Sequence, residues 1–472
     1  MTPTPIPLSL IFCFAFSLVS SFHHPQPAST SAVSRGNRCI YLCARRSDGH
    51  ADEGIVKPST PPTRREALVQ SAAAITAAVT SSILRPSSSL AIDDNIDLVR
   101  RRTYVQQFPT LFDPLYGESE RETIKRQISE NIWSIEQSLI LGPLETPLRC
   151  VVVKLSDGTL WVHAPLAPTA EFFDLVESCS GSGGVVSSVV VPTYALEHKV
   201  FVKDALERWP NAKLWTSPGQ FSFPIRSASD KFVWGRPVDG ILRESDTSTS
   251  SEAENDSMQP SWTDEIQYET LTAGTFSIGG TPTPLYETAF YHRSSKTLIV
   301  TDAVAQVPLD PPPLNRADSL LLISKRSTSD PMPEDTAEAR QIGWEKTALL
   351  ISYFFPEHEE PDPNNIGVVT WTDGWHDNFS ALAGRLIVPP VVRTLLYAQN
   401  PQMVRRWVDR VSSRWEFERI VPAHWEAPIS ATPDDFRKAF RFLEDDAIDA
   451  FPANDLKRGL KPIADIALKS LT

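Results

Sequence analysis

The chain has 472 residues, with 45 Lys+Arg against 58 Asp+Glu and a formal charge of −13. That acidic balance argues against nucleic-acid binding, which goes with a basic patch or a high pI. The 41% apolar fraction is enough for a folded core, and 40 prolines against 20 glycines exclude coiled coils, helical solenoids and polytopic membrane bundles. Five cysteines, three of them before residue 44, leave no disulfide framework.

The first 91 residues read as a layered address. Residues 7–21 form an apolar run of signal-peptide length, too short for a permanent span. A stretch rich in Ser, Arg and Pro follows, poor in acids until Asp48, with the composition of an organelle transit peptide. Arg64-Arg65, the apolar residues 67–84 and Ser89-Leu90-Ala91 then look like a twin-arginine export signal. The series resembles the targeting of a thylakoid-lumen protein in a plastid bounded by extra membranes. Removing residues 1–91 takes away 8 of the 45 Lys+Arg and 4 of the 58 Asp+Glu, leaving −17. Such a charge suits a soluble compartment and not an anionic membrane surface, and no stable membrane span is expected in the mature chain.

Residues 92–146 read as a helical arm, because Ile124, Ile128, Ile132, Ile135 and Leu139 recur at three- and four-residue spacing within 121–139. From Leu148 the pattern changes. Residues 149–155 and 160–163 read as strands joined by the turn signal Asp157-Gly158. A helix at 169–178 leads to a nearly continuous apolar strand at 185–191, as for a strand buried on both faces. A helix at 199–209 and a strand at 213–216 complete an α/β layered pattern, and the domain is placed at 147–450.

Residues 243–261 are polar and acidic without periodicity, the mark of a solvated, disordered insertion. Residues 286–291 and 297–301 form another hairpin, and 307–345 and 356–365 read as proline-rich connections. Helical patterns return at 379–386 and 403–411, and a strand at 417–421 runs into Pro-Ala-His-Trp. Thr432 as N-cap, Pro433, Asp434 and Asp435 open a last helix, whose buried stripe is Phe436, Ala439, Phe440, Leu443 and Ala447. Residues 451–472 are left as a C-terminal tail.

Active sites of layered α/β domains lie where strands end and loops begin. Three strand ends here carry metal-type or acid–base residues: P-T-Y-A-L-E-H at 192–198, Asp302 after the strand at 297–301, and His424 after the strand at 417–421. These residues carry a resemblance to the metallo-β-lactamase superfamily, whose fold is a four-layer αβ/βα sandwich with a metal site along one edge. More narrowly, PTYALEH, LIVTDA at 298–303 and IVPAH-x-x-API at 420–429 resemble a plastid and cyanobacterial family called domain of unknown function 4336. That match runs from about Trp133 to Leu443 and implies a fold, but no established activity.

The superfamily pattern T-H-x-H-x-D-H falls on residues 192–198 without a gap. Thr193 and Ala195 stand where the first two histidine ligands belong, Glu197 takes the aspartate position, and His198 the final histidine. Asp302 matches the bridging aspartate, Glu287 stands where another histidine is usual, and His424 matches the last histidine. His163 lies where the superfamily has an aspartate behind the ligands. The resemblance therefore implies that the three-histidine position is abolished. One divalent ion (zinc, iron or manganese) could remain on His198, Asp302 and His424, with Glu197 a fourth candidate. Glu287 and Glu197 are the candidate acid–base groups. If Glu197, Glu287 and Asp302 converge, a cation, protons, or nearby arginine and histidine must offset their charge.

Two functions follow. The first is a mononuclear metal-dependent hydrolase of an ester, thioester or phosphoester. The second is a catalytically inactive scaffold or ligand-binding protein assisting thylakoid assembly, with a small molecule or a plastid protein as partner. Elsewhere, Asp373, His376 and Asp377 read as a loop-to-helix cap, and Arg405, Arg406 and Arg410 as a solvated helix face. Cys150 and Cys179 read as buried thiols. No G-x-S-x-G, P-loop or G-x-G-x-x-G occurs.

Overall fold

The expected helix over 121–139 is corrected to a β-hairpin from Ile124 to Leu141, and among the described residues the arm's helical part is Asp94–Arg102. Strand β1 (Ile124–Ser129) pairs antiparallel with β2 (Ile132–Leu141), which pairs antiparallel with β3 (Leu144–Lys154). The isoleucine spacing misleads because both faces of β2 are covered. Ile132 joins the core between the two sheets, whereas Ile135 and Leu139 join the core on the helix side. A strand alternates its faces every residue, so a two-sided strand has apolar residues at every spacing and mimics a helical stripe. The boundary expected at 146 falls inside β3.

The computed structural model describes residues 94–105, 119–181, 183–220, 229–243, 259–278, 281–365, 367–444 and 449–469. The targeting segment 1–91 and most of the acidic insertion expected at 243–261 lie outside the described residues.

The first sheet runs in the order β1-β2-β3-β4-β5-β6-β7, with β4 (Leu160–His163), β5 (Val186–Val191), β6 (Lys213–Thr216) and β7 (Gly240–Ile241). Pairing is antiparallel from β1 to β4 and parallel from β4 to β7. The second sheet holds β8 (Ile266–Ile278), β9 (Thr281–His292) and β10 (Thr297–Ile299), then Arg419–Val421 parallel to β10, and Ile429–Ser430 at the edge.

The inner faces meet through Trp161, Val190 and Trp215 of the first sheet and Phe290, Ile299 and Val421 of the second. On the outside, Phe172 and Val176 of the helix Ala170–Glu177 share an apolar cluster with Val162 and Val189. Trp407 of the helix Pro401–Arg414 anchors to β8 by donating from its indole nitrogen to Glu269 O at 3.2 Å. The fold is thus mixed α/β, with two facing sheets covered by helices.

The connecting stretch expected at 307–345 is more ordered than its composition suggested. The helix Ala317–Ser324 forms inside it, and the helix Ala337–Tyr353 starts in it and runs past its end, capped by Thr336 accepting from Ala339 N. Glu345, Lys346 and Thr347 are buried together with apolar neighbours, which erases the one-sided stripe. Gly343 lets this helix close on its neighbour, since a Cβ there would clash with the Leu320 carbonyl.

The expected last helix is Pro433–Ala439, with a reciprocal capping box between Thr432 and Asp435. Phe436, Phe440 and Leu443 are buried, and Ala447 lies outside the described residues. The tail is itself helical, from Ala453–Asp455 through a wider turn at Leu456–Leu460 into Lys461–Lys469. Its Asp455 is fully buried and accepts from Asn378 Nδ2 at 2.7 Å. Arg410 is not solvated, because it pairs with the buried carboxylate of Glu269 at 3.0 Å. Among the described residues no helix is long and apolar enough to cross a membrane.

The two-sided burial of β2 predicts that Ile132→Ala and Ile135→Ala each destabilise by about 2–5 kcal/mol. Because the two side chains sit in different cores, the costs should add in the double variant to within about 0.5 kcal/mol. Denaturant melts of the three variants check this.

Candidate metal centre

Strand β5 ends at Val191, and the chain crosses to the second sheet through an isolated antiparallel bridge between Thr193 and Glu287. A 3-10 turn, Leu196–His198, then presents Glu197 and His198. Asp302 follows β10, and His424 follows the parallel strand Arg419–Val421. The side-by-side pairing of those two strands brings Asp302 and His424 to the same sheet end. An isolated bridge from Leu148 to His424 ties this end to β3.

These segments converge. Ligand-type atoms of Glu197, His198 and His424 all lie within 4.8 Å of one another. Asp302 reaches both histidines through different oxygens, Oδ2 at 3.4 Å from His198 Nε2 and Oδ1 at 3.5 Å from His424 Nε2. The two imidazole rings stand edge to face, 5.2 Å apart. His198 is buried, whereas the Asp302 and His424 side chains each keep 18% exposure, so solvent reaches the group at those two residues.

The protonation pattern follows from burial and charge. Burial alone would lower His198, but the negative charges of Asp302, Glu197 and Glu287 outweigh it and hold the imidazole above its ordinary value. His424 goes the other way, down to about 4, because burial exceeds the pull of Asp302. Burial would raise Asp302, yet His198 and His424 together hold its carboxyl below the usual carboxylate value. Glu197 is raised by burial first, with Asp302 adding and His198 opposing.

Glu287 is 2% exposed, and its Oε1 accepts from the backbone amides of Thr301 and Asp302, both at 3.1 Å. Burial, then the charge of Asp302, push its carboxyl up to about 8. The group that stands in the expected histidine position is therefore committed to holding the end of β10. Thr193 is similarly occupied, donating to Tyr286 O at 3.3 Å.

Two ring arrangements bear on cation binding. A carbonyl can only accept, so the 2.9 Å contact of His424 Nδ1 with Pro147 O places the proton on Nδ1. The Nε2 lone pair then faces a carboxylate oxygen. For His198, the Asp302 contact has ion-pair length, and neither ring nitrogen makes a geometrically sound hydrogen bond among the described residues. Nitrogens of this kind, with carboxylates alongside, fit a borderline divalent ion.

The remaining candidates divide. His163 is buried between Trp161, stacked at 5.7 Å, and Phe290 at 5.5 Å. Burial and the charge of His198 lower it to about 3, a neutral ring in the inter-sheet core. His376 pairs with Glu345 Oε2 at 2.7 Å, and the helix following Asp373 is capped by Gly374 with no side-chain bond. Cys150 and Cys179 are buried free thiols.

Sequence reasoning passed over Tyr194 and Tyr397. Both are buried, and burial followed by nearby site carboxylates raises them well. Tyr194 was legible inside the 192–198 motif, whereas Tyr397 carried no local signal. Lys199, lowered to about 7 by burial, donates to Gln220 Oε1 at 3.0 Å, and Gln220 Nε2 in turn donates to Thr193 O at 2.9 Å.

The Glu287 shift predicts a pH signature in metal-free protein. A carboxyl at about 8 when folded, against an ordinary 4.5, binds more protons in the folded state between those values. Its contribution therefore falls as pH rises from 4.5 to 8. Glu287→Gln keeps an oxygen to accept both amides and removes the titration, so calorimetry from pH 5 to 8 should show a flatter Tm decline than wild type.

No curated protein matches the chain. Among solved structures, a metallo-beta-lactamase from Pontibacter korlensis shares 10% identity, covering 69% of this chain and 100% of its own, with a TM-score of 0.30. One from Hirschia baltica shares 10%, covering 68% and 97%, at 0.31. The metallo-beta-lactamase FIM-1 from Pseudomonas aeruginosa, in its mono-zinc form, shares 10%, covering 69% and 97%, at 0.30. The structural similarity is distant. The family described as Domain of unknown function (DUF4336) matches residues 129–442, a span that includes all three converging strand ends, and the chain belongs to it.

Proposed function

We propose that this protein binds one divalent metal ion (zinc, iron or manganese) on His198, His424 and Glu197, with Asp302 completing the set, and acts as a metal-dependent hydrolase. The observation that carries the reading is the His424 pose. Its Nδ1 proton is committed to Pro147 O, so Nε2 presents a lone pair to Asp302 Oδ1 at 3.5 Å, acceptor facing acceptor. A cation between them removes that repulsion.

When bound, such an ion supplies Lewis-acid polarisation of an acyl or phosphoryl oxygen. The chain's own groups do the rest. Pro147 O fixes the His424 tautomer, and Asp302 keeps its charge between the two imidazoles. Glu287, with its carboxyl at about 8, holds a proton at neutral pH and is the candidate acid. An ester, thioester or phosphoester is the proposed substrate class. The layered targeting segment supports plastid import and delivery to the thylakoid lumen as part of this proposal.

A specific observation favours a second reading, a catalytically inactive scaffold or ligand-binding protein. Glu287 is spent on two backbone amides, and a proton on His198, whose Nε2 lies 3.4 Å from Asp302, would balance the cluster without any ion.

Elemental analysis after metal-replete preparation separates the two. The metal reading expects one ion per chain, with affinity reduced at least about 100-fold in His198→Ala and His424→Ala, beyond the loss usual for outer partners. Asp302→Ala should also weaken binding. Absence of stoichiometric metal in the wild type overturns the reading and leaves the scaffold.

A further inference from the structure

We propose that Arg149 is the positioning residue that aims His424 at the metal group, an inference that rests on the metal reading above. Arg149 lies on β3 and is 1% exposed. Its guanidinium donates through Nη1 to Pro422 O, and through Nη2 to Trp425 O at 2.6 Å. Those carbonyls sit on either side of His424, whose own carbonyl lies 3.5 Å from Nη1. The planar fork thus grips the turn that carries the histidine at two fixed points, which a lysine ammonium cannot reproduce.

The fork is itself held from behind. Arg149 Nε donates to Glu136 Oε1 at 3.0 Å, and Glu136 stands directly across from Arg149 in the β2–β3 register. Ser134 Oγ donates to the same oxygen at 3.2 Å, and Arg126 approaches the other at 3.8 Å. A buried carboxylate and guanidinium in this position are costly to desolvate, so the pair is weak evidence of stability, and what it does here is fix the guanidinium's orientation.

The turn needs fixing, because Trp425 takes φ 58°, a left-handed conformation that a bulky side chain rarely adopts. Arg149 bonds the carbonyl of that strained residue. Its neighbours complete the grip: Leu148 bridges to His424, and Pro147 O accepts a hydrogen bond from His424 Nδ1. Three consecutive residues of β3 therefore hold the His424 backbone, set its tautomer and leave Nε2 pointing at Asp302. The clamp pre-organises a ring orientation whose unfavourable facing lone pairs a bound cation would resolve.

The test uses the full chain as wild type and as Glu136→Gln/Arg149→Met, which removes both charges together and leaves no unpaired buried carboxylate. Nitrogen-15 spectra of histidine-labelled, metal-free protein at neutral pH read the His424 tautomer directly, with His424→Ala supplying the assignment. Wild type should show protonated Nδ1 and free Nε2, and the double variant a mixed population. Cobalt(II) titration should show affinity about 10–100-fold weaker in the double variant, with an altered visible band. Should that variant not fold, Arg149→Lys keeps the charge but lacks the fork and should show the same tautomer mixing. An unchanged tautomer, with cobalt(II) affinity within about twofold of wild type, overturns the clamp. Wild type that takes up no cobalt(II) sinks the metal reading, whereas the metal-free tautomer spectrum tests the clamp independently.

Discussion

The centre of this structure is one aspartate between two imidazoles. Asp302 sits 3.4 Å from His198 and 3.5 Å from His424, contributed by segments that follow three different strands. A carboxylate withdrawn from water needs positive charge nearby, and a neutral imidazole supplies it only by taking a proton or holding an ion. The two histidines respond in opposite directions: His198 is raised by the surrounding carboxylates, whereas His424 is lowered to about 4 by burial. That asymmetry makes His198 the ring that protonates more readily and His424 the one that offers a directed lone pair.

Everything that positions this group derives from sheet geometry. Parallel pairing of β10 with Arg419–Val421 puts Asp302 and His424 at one end of the second sheet. The Thr193–Glu287 bridge joins the end of β5 to that sheet and delivers Glu197 and His198 to the same place. Glu287 holds the far side by accepting from Thr301 N and Asp302 N. Burial first, and the charge of Asp302 second, favour the protonated form of its carboxyl.

The site was more legible in the sequence than parts of the fold. Glu197, His198, Asp302 and His424 were visible because each lies in a segment that follows a strand with strong local pattern, and strand ends are where such folds gather polar groups. The β1–β2 hairpin was misread as a helix because Ile132 and Ile135 serve two separate cores, and burial on both faces removes the alternation that marks a strand. The helix Ala337–Tyr353 was hidden for a related reason, since the burial of Glu345, Lys346 and Thr347 blurs its stripe. Arg149 gave no signal, because its partners are backbone carbonyls more than 270 residues away in the chain.

By itself the sequence determined which residue types terminate the strands, the acidic balance, the capped helix at Pro433 and the β4–β6 pattern, because these depend on neighbours in the chain. Only the tertiary structure decided that Glu287 serves the backbone, that Arg410 is paired, and that Pro147 orients His424. Each of these depends on a partner brought close by sheet register, and desolvation there reverses the behaviour a side chain shows in water.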